Sequence, residues 1–532
     1  MAEETKPPAP LHVLEQRRRL SQSMIWDLQR EFYRRRGTAA WTSGELPWYI
    51  TGNPYIARAY VRVVLAWLRD CAQGRGGAVL DRSRPVPIVE LAAGAGIFAF
   101  HFLRKLREVL PLTPGLEGVR PLYVITDVAE SNLQACRDNP RFAPFVQEGL
   151  LDFALFDLEK PGALELASGT LAPGTVGNPV AAIANYAFDS TTQDLFFIRA
   201  GAIYEGLVSV SSPQPEPDLG DPELMSRLVL SYDPATVPEN PYGDPPLDAV
   251  LREYRQRLGD TSLLVPVAAM RCVRALIALS QGPALLVVGD KGTSRIEEIV
   301  QRTVPQRPQH GGAFSMDVNL HAIGRYVENL GGGALHTQQL DRHFKVAALL
   351  TGGPADSFPE TRLAFRDAMD AFSPFDYHRL SMYSRKQEYE MPPDFVMALL
   401  KLGDWDPYVL AYYARSLARQ ADKMSDVMKL EVKRALERTW ESFFPMSQDV
   451  AFEIANVFSS LNLRKDALRF YGESLKLNGP HHITLHNMGL CMYLLGQPEE
   501  ALKFMDQSLE MKPDYGHARD WRNRIQAELS GS

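Results

Sequence analysis

An apolar run that ends in small residues, IVELAAGAG at residues 88–96, leads directly into the amphipathic stretch IFAFHFLRKLREVL at residues 97–110. A buried strand followed by a glycine turn and a helix produces this pattern. Small residues at such a turn let the backbone approach a ligand that larger side chains would block. A tight turn without a ligand would use the same residues, so the motif alone predicts a local fold rather than a function.

Similar short apolar runs recur after this motif and alternate with amphipathic segments. Turn residues bound them, as is typical of buried parallel strands joined by crossover helices. We therefore predict an α/β fold with a Rossmann-like, doubly wound sheet. The further predicted strands are LYVITD (122–127), LDFALFDLE (151–159), VAAIANYAF (180–188), ALLVVGD (284–290) and FKVAALLTG (344–352).

We place the predicted sheet domain at residues 86–355. Three other regions accompany it: a segment before it, an insertion within it and a segment after it. Residues 11–36 carry apolar residues at helical spacing among many basic ones and stop at Gly37, so residues 1–85 are expected to form a helical cap. Its arginines form either a solvated face or a patch for an acidic partner. Residues 209–260 are rich in Pro, Asp and Glu, which predicts an inserted loop or a substrate lid. Residues 356–445 are expected to be a helical connector.

Residues 446–532 contain a repeat with a period of 34 residues, the tetratricopeptide period. An all-α, tetratricopeptide-like domain is therefore predicted, and the helices of residues 391–444 are expected to complete its stack. Such arrays offer a concave surface to a protein or peptide. The residues that align at this offset are Ala455 with Gly489, Ala467 with Ala501, Tyr471 with Met505 and Ser474 with Ser508.

Charge and composition exclude several classes of function. The chain has 532 residues with 57 Lys and Arg against 64 Asp and Glu, and this net charge of -7 argues against a general nucleic-acid binder. No apolar run reaches the ~18 residues of a membrane span, and the first residues lack the pattern of a signal peptide. A cytoplasmic protein is expected. The four cysteines have no CxxC spacing, so neither a metal site nor a disulfide framework is predicted.

The spacing of acidic residues separates two nucleotide cofactors. The dinucleotide fingerprint needs a third glycine and an acid ~20 residues on, but here Ala99 takes the glycine position and Asp127 follows Gly96 by 31 residues. S-adenosylmethionine (SAM) fits better. Asp127 would accept hydrogen bonds from the ribose, Glu90 would orient the loop or meet the ammonium, and Asp157 would contact adenine. The expected SAM-binding residues are Glu90, Ala92, Gly94, Ala95, Gly96, Asp127, Val128, Asp157, Leu158 and Asn185.

Methyl transfer from a sulfonium requires positioning of the acceptor and, for a nitrogen acceptor, a base. His310 and His321 flank the segment FSMDVN and are the candidate bases. The expected catalytic residues are Asn185, Tyr186, Asp189, His310, Asn319 and His321. A polar and aromatic strip is expected on the substrate side, where it either closes over the cofactor or forms a structured loop; it consists of Tyr49, Thr51, Asn53 and Tyr55.

At these residues the chain resembles class I methyltransferases of the MidA type, a family that includes mitochondrial complex I assembly factors that methylate a protein arginine. The resemblance implies SAM binding and a long spacing between glycine loop and acid. The family's Asn-Glu appears here as Asn185-Tyr186 and its Val-Asp-Phe as Val318-Asn319-Leu320. Two carboxylates are thus replaced by neutral groups, so arginine is not implied as the acceptor. The matching segments are ELAAGAG (90–96), TDVAESNLQAC (126–136), WYITGNPYIARAY (48–60), IANYAFDSTTQDLF (183–196), LLVVGDKG (285–292) and HGGAFSMDVNLHAI (310–323).

Together these features predict a SAM-dependent methyltransferase that acts on a protein or peptide held by the repeats. Two alternatives stay open. The acceptor could be a small molecule, with the repeats serving only for oligomerisation, for example as a homodimer. The chain could also be a degenerate methyltransferase fold that serves as a scaffold or assembly factor.

Overall fold

A computed structural model describes residues 11–37, 48–216, 218, 220–221, 223–300, 309–310, 313–385, 391–446 and 448–531, with only the backbone of residues 309 and 310. Two compact units make up the chain: Met1–Gly52 with Ile56–Phe375, and Asn53–Tyr55 with Asp376–Ser532. The strands are β1 (His12–Arg19), β2 (Val86–Leu91), β3 (Pro121–Asp127), β4 (Leu151–Leu155), β5 (Leu164–Leu166), β6 (Gly169–Leu171), β7 (Val180–Asn185), β8 (Asp194–Arg199), β9 (Ala202–Ser212), β10 (Val229–Thr236), β11 (Thr261–Val265), β12 (Ala284–Asp290), β13 (Gly292–Thr293), β14 (Gln309–His310), β15 (Ala313–Phe314), β16 (Val318–Asn319), β17 (Gly333–His336) and β18 (Lys345–Leu350).

Helices follow most of these strands and make up the second unit. They are α1 (Met24–Arg36), α2 (Pro54–Ala72), α3 (Ile97–Val109), α4 (Glu130–Asp138), α5 (Ala143–Gln147), α6 (Leu224–Arg227), α7 (Pro245–Arg257), α8 (Val267–Ile277), α9 (Leu320–Asn329), α10 (Pro359–Phe365), α11 (Pro374–Arg385), α12 (Pro393–Leu402), α13 (Pro407–Gln420), α14 (Asp426–Glu441), α15 (Val450–Ser460), α16 (Arg464–Asn478), α17 (His482–Leu494), α18 (Pro498–Met511) and α19 (Gly516–Leu529). Among the described residues, no helix is both long and apolar enough to cross a bilayer.

The main sheet of the first unit has seven strands in the order β17-β18-β12-β7-β2-β3-β4. All six apolar runs predicted as strands belong to it. The strands β2, β3, β4, β7 and β12 pair in parallel, while β18 runs antiparallel to both of its neighbours. Counted along the chain, the parallel strands lie in the order 3-2-1-4-5 of a doubly wound sheet. The order reverses between β2 and β7, and ligands bind such sheets at the carboxyl ends of the strands beside this switch point.

A second, antiparallel sheet corrects two of the sequence predictions. It has the order β1-β9-β8-β11, with β10 on the other side of β9. Residues 12–19 therefore form a strand, and only Met24–Arg36 form the predicted helix, which ends at Gly37 with φ +51°. Residues 209–260 are not a loop, because they contain the end of β9, all of β10 and α7. Backbone pairing with β9 explains both differences: it satisfies the amide groups of two segments whose side chains give no clear alternation.

The second unit consists of helices, as predicted for this part of the chain. The pairs α15/α16 and α17/α18 repeat the predicted offset, since α16 begins at Arg464 and α18 begins 34 residues later at Pro498. Small residues at equivalent positions are buried, and a Cβ added to Gly489 would lie 2.9 Å from a methionine of α18. The helix α13 of the preceding segment packs against α15, so the stack extends toward the N-terminus as expected.

Candidate functional site

The glycine loop connects β2 to α3 at the switch point of the main sheet. Its backbone takes left-handed conformations at Ala92, Gly94 and Gly96, with φ of +51°, +56° and +76°. A Cβ on Gly96 would lie 2.9 Å from the Cys136 sulfur, so this position has no room for a side chain. Ala92 is exposed. The loop therefore presents backbone and small methyl side chains to a ligand, with nothing larger in the way.

Asp127, at the carboxyl end of β3, holds this loop in place. Its Oδ2 accepts a hydrogen bond from the Gly94 amide at 3.0 Å. Its Oδ1 accepts from the Ala129 amide at 2.9 Å and from the Asn132 side chain at 3.1 Å. Burial raises the pKa of this carboxyl, and these hydrogen bonds oppose that effect. A further hydrogen bond from the Val128 backbone also lowers this pKa, so four donors hold the Asp127 carboxylate beside the glycine loop.

Glu90 lies within β2, one residue before the strand ends. Its side chain is only 3% exposed and accepts a hydrogen bond from the Tyr123 hydroxyl at 2.9 Å. Burial raises the pKa of Glu90 to about 8, and the nearby charge of Asp127 raises it further, while the bond from Tyr123 lowers it. At neutral pH this carboxyl is therefore mostly protonated, and a cation brought beside it would favour its ionisation.

The residues expected near adenine follow β4. Asp157 is half-buried, and its Oδ1 accepts a hydrogen bond from the Glu159 amide at 2.9 Å. Leu158 is partly buried against the core, and Val128 is exposed. Glu159 in turn accepts hydrogen bonds from the amide and hydroxyl of Thr192, at 2.6 and 2.7 Å. The segment after β4 is thus tied to the segment after β7, on either side of the glycine loop.

Asn185 ends β7 directly beside the switch point. Its Oδ1 accepts a hydrogen bond from the buried Tyr60 hydroxyl at 2.8 Å. Its Nδ2 is also buried, and it has no hydrogen-bond partner in the described part of the chain. Leaving such a donor unsatisfied costs about 1–3 kcal/mol, so the site has an unused donor where a ligand would lie. Tyr60, on α2, was not predicted, because nothing in its helical surroundings distinguishes it.

Two carboxyl groups meet beyond Asn185. Asp290, at the end of β12, is fully buried, and its Oδ2 accepts hydrogen bonds from the amides of Phe188 and Asp189 at 3.0 and 3.2 Å. Burial raises the pKa of Asp189 to about 6, with Lys291 opposing the effect, and burial together with Asp189 raises the pKa of Asp290 well above its usual range. Asp189 can therefore exchange a proton near neutral pH. Asp290 was not among the site residues predicted from the sequence. It could have been, because Asp290 ends the strand LLVVGD as Asp127 ends LYVITD.

Tyr186 lies between these groups in a strained left-handed conformation, with φ +46°. Its hydroxyl donates to the His343 carbonyl at 3.1 Å, and its ring packs edge-on against Phe344 at 5.5 Å. Non-glycine residues in this conformation cluster at functional sites. Asn185, at the end of β7, and Tyr186 and Asp189, directly after it, therefore lie at the same edge of the sheet.

The other predicted catalytic residues are placed differently. Asn319 caps α9: its Oδ1 accepts from the Ala322 amide at 3.0 Å and its Nδ2 donates to the Leu264 carbonyl at 3.2 Å. The Nδ1 of His321 lies 2.8 Å from the Tyr254 hydroxyl, and burial lowers the pKa of His321 to about 4. The side chain of His310 lies outside the described residues. Among the described residues, neither the Asn319 nor the His321 side chain hydrogen-bonds to the loop that follows Asn185.

The predicted substrate-side strip is not a uniform surface. Tyr49 and Thr51 are half-buried, and the Thr51 hydroxyl donates to the Trp48 carbonyl at 3.2 Å within a turn. Asn53 and Tyr55 are buried. Closure of this segment over a cofactor stays a prediction. In the described part of the chain, no group of three His, Cys, Asp or Glu side chains is arranged to hold a metal ion.

Comparisons with known proteins give weak structural similarity. No family model matches the chain, and no curated protein does. An uncharacterised protein of the COG1565 superfamily from Burkholderia thailandensis has 16% identity and a TM-score of 0.36, covering 64% of this chain and 95% of that one. A COG1565 member from the same organism, described as a candidate methyl transferase bound to S-adenosyl-homocysteine, has 18% identity and a TM-score of 0.36, with coverages of 58% and 79%. YrrB, a tetratricopeptide protein with an unusual peptide-binding site, has 18% identity and a TM-score of 0.25, with coverages of 32% and 83%.

Proposed function

We propose that this protein is a SAM-dependent methyltransferase whose acceptor is a protein or peptide recruited by the C-terminal helical repeats. The observation that carries the first part is the convergence of three strand ends at the switch point: a loop of only Gly and Ala, the Asp127 that holds it, and the unsatisfied amide donor of Asn185. Ligands of doubly wound sheets bind at this position.

The residues present fit SAM. Asp127 is a carboxylate at the end of β3 that would meet a ribose hydroxyl, and Glu90 is a carboxyl that a neighbouring ammonium would ionise. Asp157 would stand beside adenine, and Asn185 would lie near the reacting end. Bound here, SAM would supply a sulfonium-linked methyl group that is open to in-line attack. The chain's own task is then to position the acceptor and exclude water.

Asp189 is the residue we assign to proton removal from the acceptor. It lies in the same loop as Asn185, and its pKa of about 6 leaves most of it ionised at neutral pH. His321 is less suited to the role, because it is engaged with Tyr254 in a different part of the unit. A general base with a pKa near the working pH typically accelerates a reaction ~10²–10⁴-fold.

Cofactor binding is tested by calorimetric titration of the full chain with S-adenosyl-homocysteine (SAH). Saturable 1:1 binding is expected, and Asp127→Asn should weaken it at least tenfold. Asp152→Asn is the matched control, since Asp152 is also a buried carboxylate that accepts backbone hydrogen bonds, from Ala167 and Ser168, but it lies within β4. Absence of binding, or equal binding by the Asp127 variant, would leave the scaffold alternative.

The acceptor class is tested by incubating lysate with isotopically labelled SAM and the full chain. Label in the protein fraction supports the proposal, and label confined to small molecules contradicts it. Asn456 on α15 and Asn487 on α17 lie on the first helices of adjoining pairs. The Asn487 Nδ2 donates a hydrogen bond to the Asn456 Oδ1 at 3.3 Å, so the two side chains are neighbours on that face of the repeats. Replacing both with Ala should reduce protein labelling without changing SAH affinity. The pair Glu500→Ala/Lys503→Ala on the second helix α18 is the control.

A further inference from the structure

A cavity lies at the β17 edge of the main sheet, outside the site proposed for methyl transfer. Its volume is about 650 Å³, within the usual ~300–1,000 Å³ of small-molecule sites. Three strands separate β17 from β2, which at ~4.8 Å per strand places the cavity about 19 Å from the glycine loop. The lining residues are Arg257, Ser294, Arg295, Ile296, Glu297, His321, Ala334, Leu335, His336, Gln338, Pro359, Arg362, Leu363, Phe365, Arg366 and Asp370.

The charge of this lining is positive. Four arginines face two carboxylates, and one of these carboxylates, Asp370, already accepts the Gln338 amide at 2.7 Å. Burial lowers the pKa of His321 to about 4 and that of His336 to about 3, so both imidazoles are neutral at physiological pH. Counted over the lining alone, the excess of two positive charges is similar in size to the charge of a phosphate group, about -1.5 to -2 at pH 7. Outside the lining, Glu253, Asp356 and Asp367 pair with Arg257, Arg362 and Arg366.

Two arginines of the cavity, Arg362 and Arg366, are available to a ligand at little cost. Arg362 pairs with Asp356, which is 82% exposed and lies outside the lining, and Arg366 lies 3.5 Å from Asp367, also outside it. Exposed ion pairs of this kind contribute only about 0–1 kcal/mol. In addition, the Arg295 Nε and the His336 Nδ1 are buried without a hydrogen-bond partner among the described residues.

From these observations we propose that the cavity binds a phosphate-bearing small molecule. Guanidinium groups recognise phosphate oxygens through paired hydrogen bonds, and the oxygens would give the Arg295 Nε its missing acceptor. The neutral imidazoles and the hydroxyl of Ser294 would supply further hydrogen bonds. The apolar wall of Leu335, Leu363 and Phe365 leaves room for the body of such a ligand. This proposal does not depend on methyl transfer.

Pyrophosphate is the probe, titrated calorimetrically into the full chain at constant ionic strength. Arg362→Gln/Arg366→Gln removes two cavity charges at side chains that are 50% and 71% exposed, so the fold should be retained. Arg84→Gln/Arg107→Gln is the matched control, because it removes the same charge from exposed positions outside the cavity. We expect saturable 1:1 binding that weakens at least tenfold in the cavity variant and changes less than twofold in the control. Citrate, a tricarboxylate, should bind more weakly than pyrophosphate.

Several outcomes would overturn the proposal. They are absence of saturable binding, equal losses in the cavity and control variants, citrate binding as tightly as pyrophosphate, or displacement of pyrophosphate by SAH. Should the cavity variant fail to fold, the wild-type chain gives an independent result. Pyrophosphate should protect Arg362 and Arg366 from phenylglyoxal modification, measured by peptide mass spectrometry, and should leave the modification of Arg84 unchanged. Equal modification with and without the probe would contradict the assignment.

Discussion

Replacing Glu90 by Gln should change how the stability of the main sheet depends on pH. Glu90 is buried beside the Tyr123 hydroxyl, with a pKa of about 8 in the folded chain against 4.5 for an ordinary glutamate. In the unfolded chain this carboxyl ionises above pH 4.5, while in the folded chain it stays protonated up to about pH 8. Wild-type stability therefore falls as pH rises through this window. Gln has nearly the same shape but no proton to lose, so the variant lacks this fall.

The magnitude follows from the two pKa values. Linkage gives a loss for the wild type of about 1 kcal/mol at pH 5 and about 3 kcal/mol at pH 7, relative to a carboxyl that never ionises. The advantage of Glu90→Gln over the wild type should therefore grow by about 2–3 kcal/mol between these pH values. A pH-independent difference between the hydrogen bonds of Glu90 and Gln cancels when the two pH values are compared. The titrations of other groups cancel when the variant is compared with the wild type.

Hydrogen exchange of the β2 amides, corrected for intrinsic rates, measures this difference in the full chain. The control is Tyr123→Phe, which removes a bond that lowers the pKa of Glu90, so its stability should keep falling to a higher pH than in the wild type. If the wild type and Glu90→Gln gave parallel stability profiles between pH 5 and 7, Glu90 would not be protonated in the folded chain, and the reasoning would be refuted.

Three further predictions concern the rest of the site. Gly96→Ala should destabilise the first unit by about 1–3 kcal/mol and weaken SAH binding. The control is Gly118→Ala: this residue has nearly the same φ, but an added Cβ would have its nearest neighbour at 3.9 Å, so hydrogen exchange should show only the conformational cost. Tyr60→Phe should reduce SAH affinity up to tenfold in calorimetry, because it removes the bond that orients Asn185; unchanged affinity would count against that role. Asp189→Asn should lower the rate of methyl transfer ~10²–10⁴-fold and abolish its rise with pH through about 6, while SAH binding persists; a variant that kept the rise would exclude Asp189 as the base.

The main sheet could be predicted because its strands are buried on both faces. Such strands need continuous apolar residues, so runs such as VAAIAN and ALLVVG are recognisable without any knowledge of their neighbours. The repeat was recognisable for a similar reason, since Ala467 and Ala501 occupy equivalent buried positions where paired helices approach. By contrast, β1 and β10 are half-exposed and held by backbone pairing with β9, so their side chains show little of the apolar pattern from which a strand is predicted.

For the candidate site, the sequence by itself determined which residues stand at the end of each strand, and hence that Glu90, Asp127 and Asn185 meet at one edge of the sheet. Only the tertiary structure decided how those groups are used. It placed Tyr60 against Asn185, put Asp290 beneath Asp189, and assigned Asn319 to a helix cap. The physical reason is that strand periodicity is a local property of the chain, whereas burial, pKa and hydrogen-bond partners depend on residues brought together from distant segments.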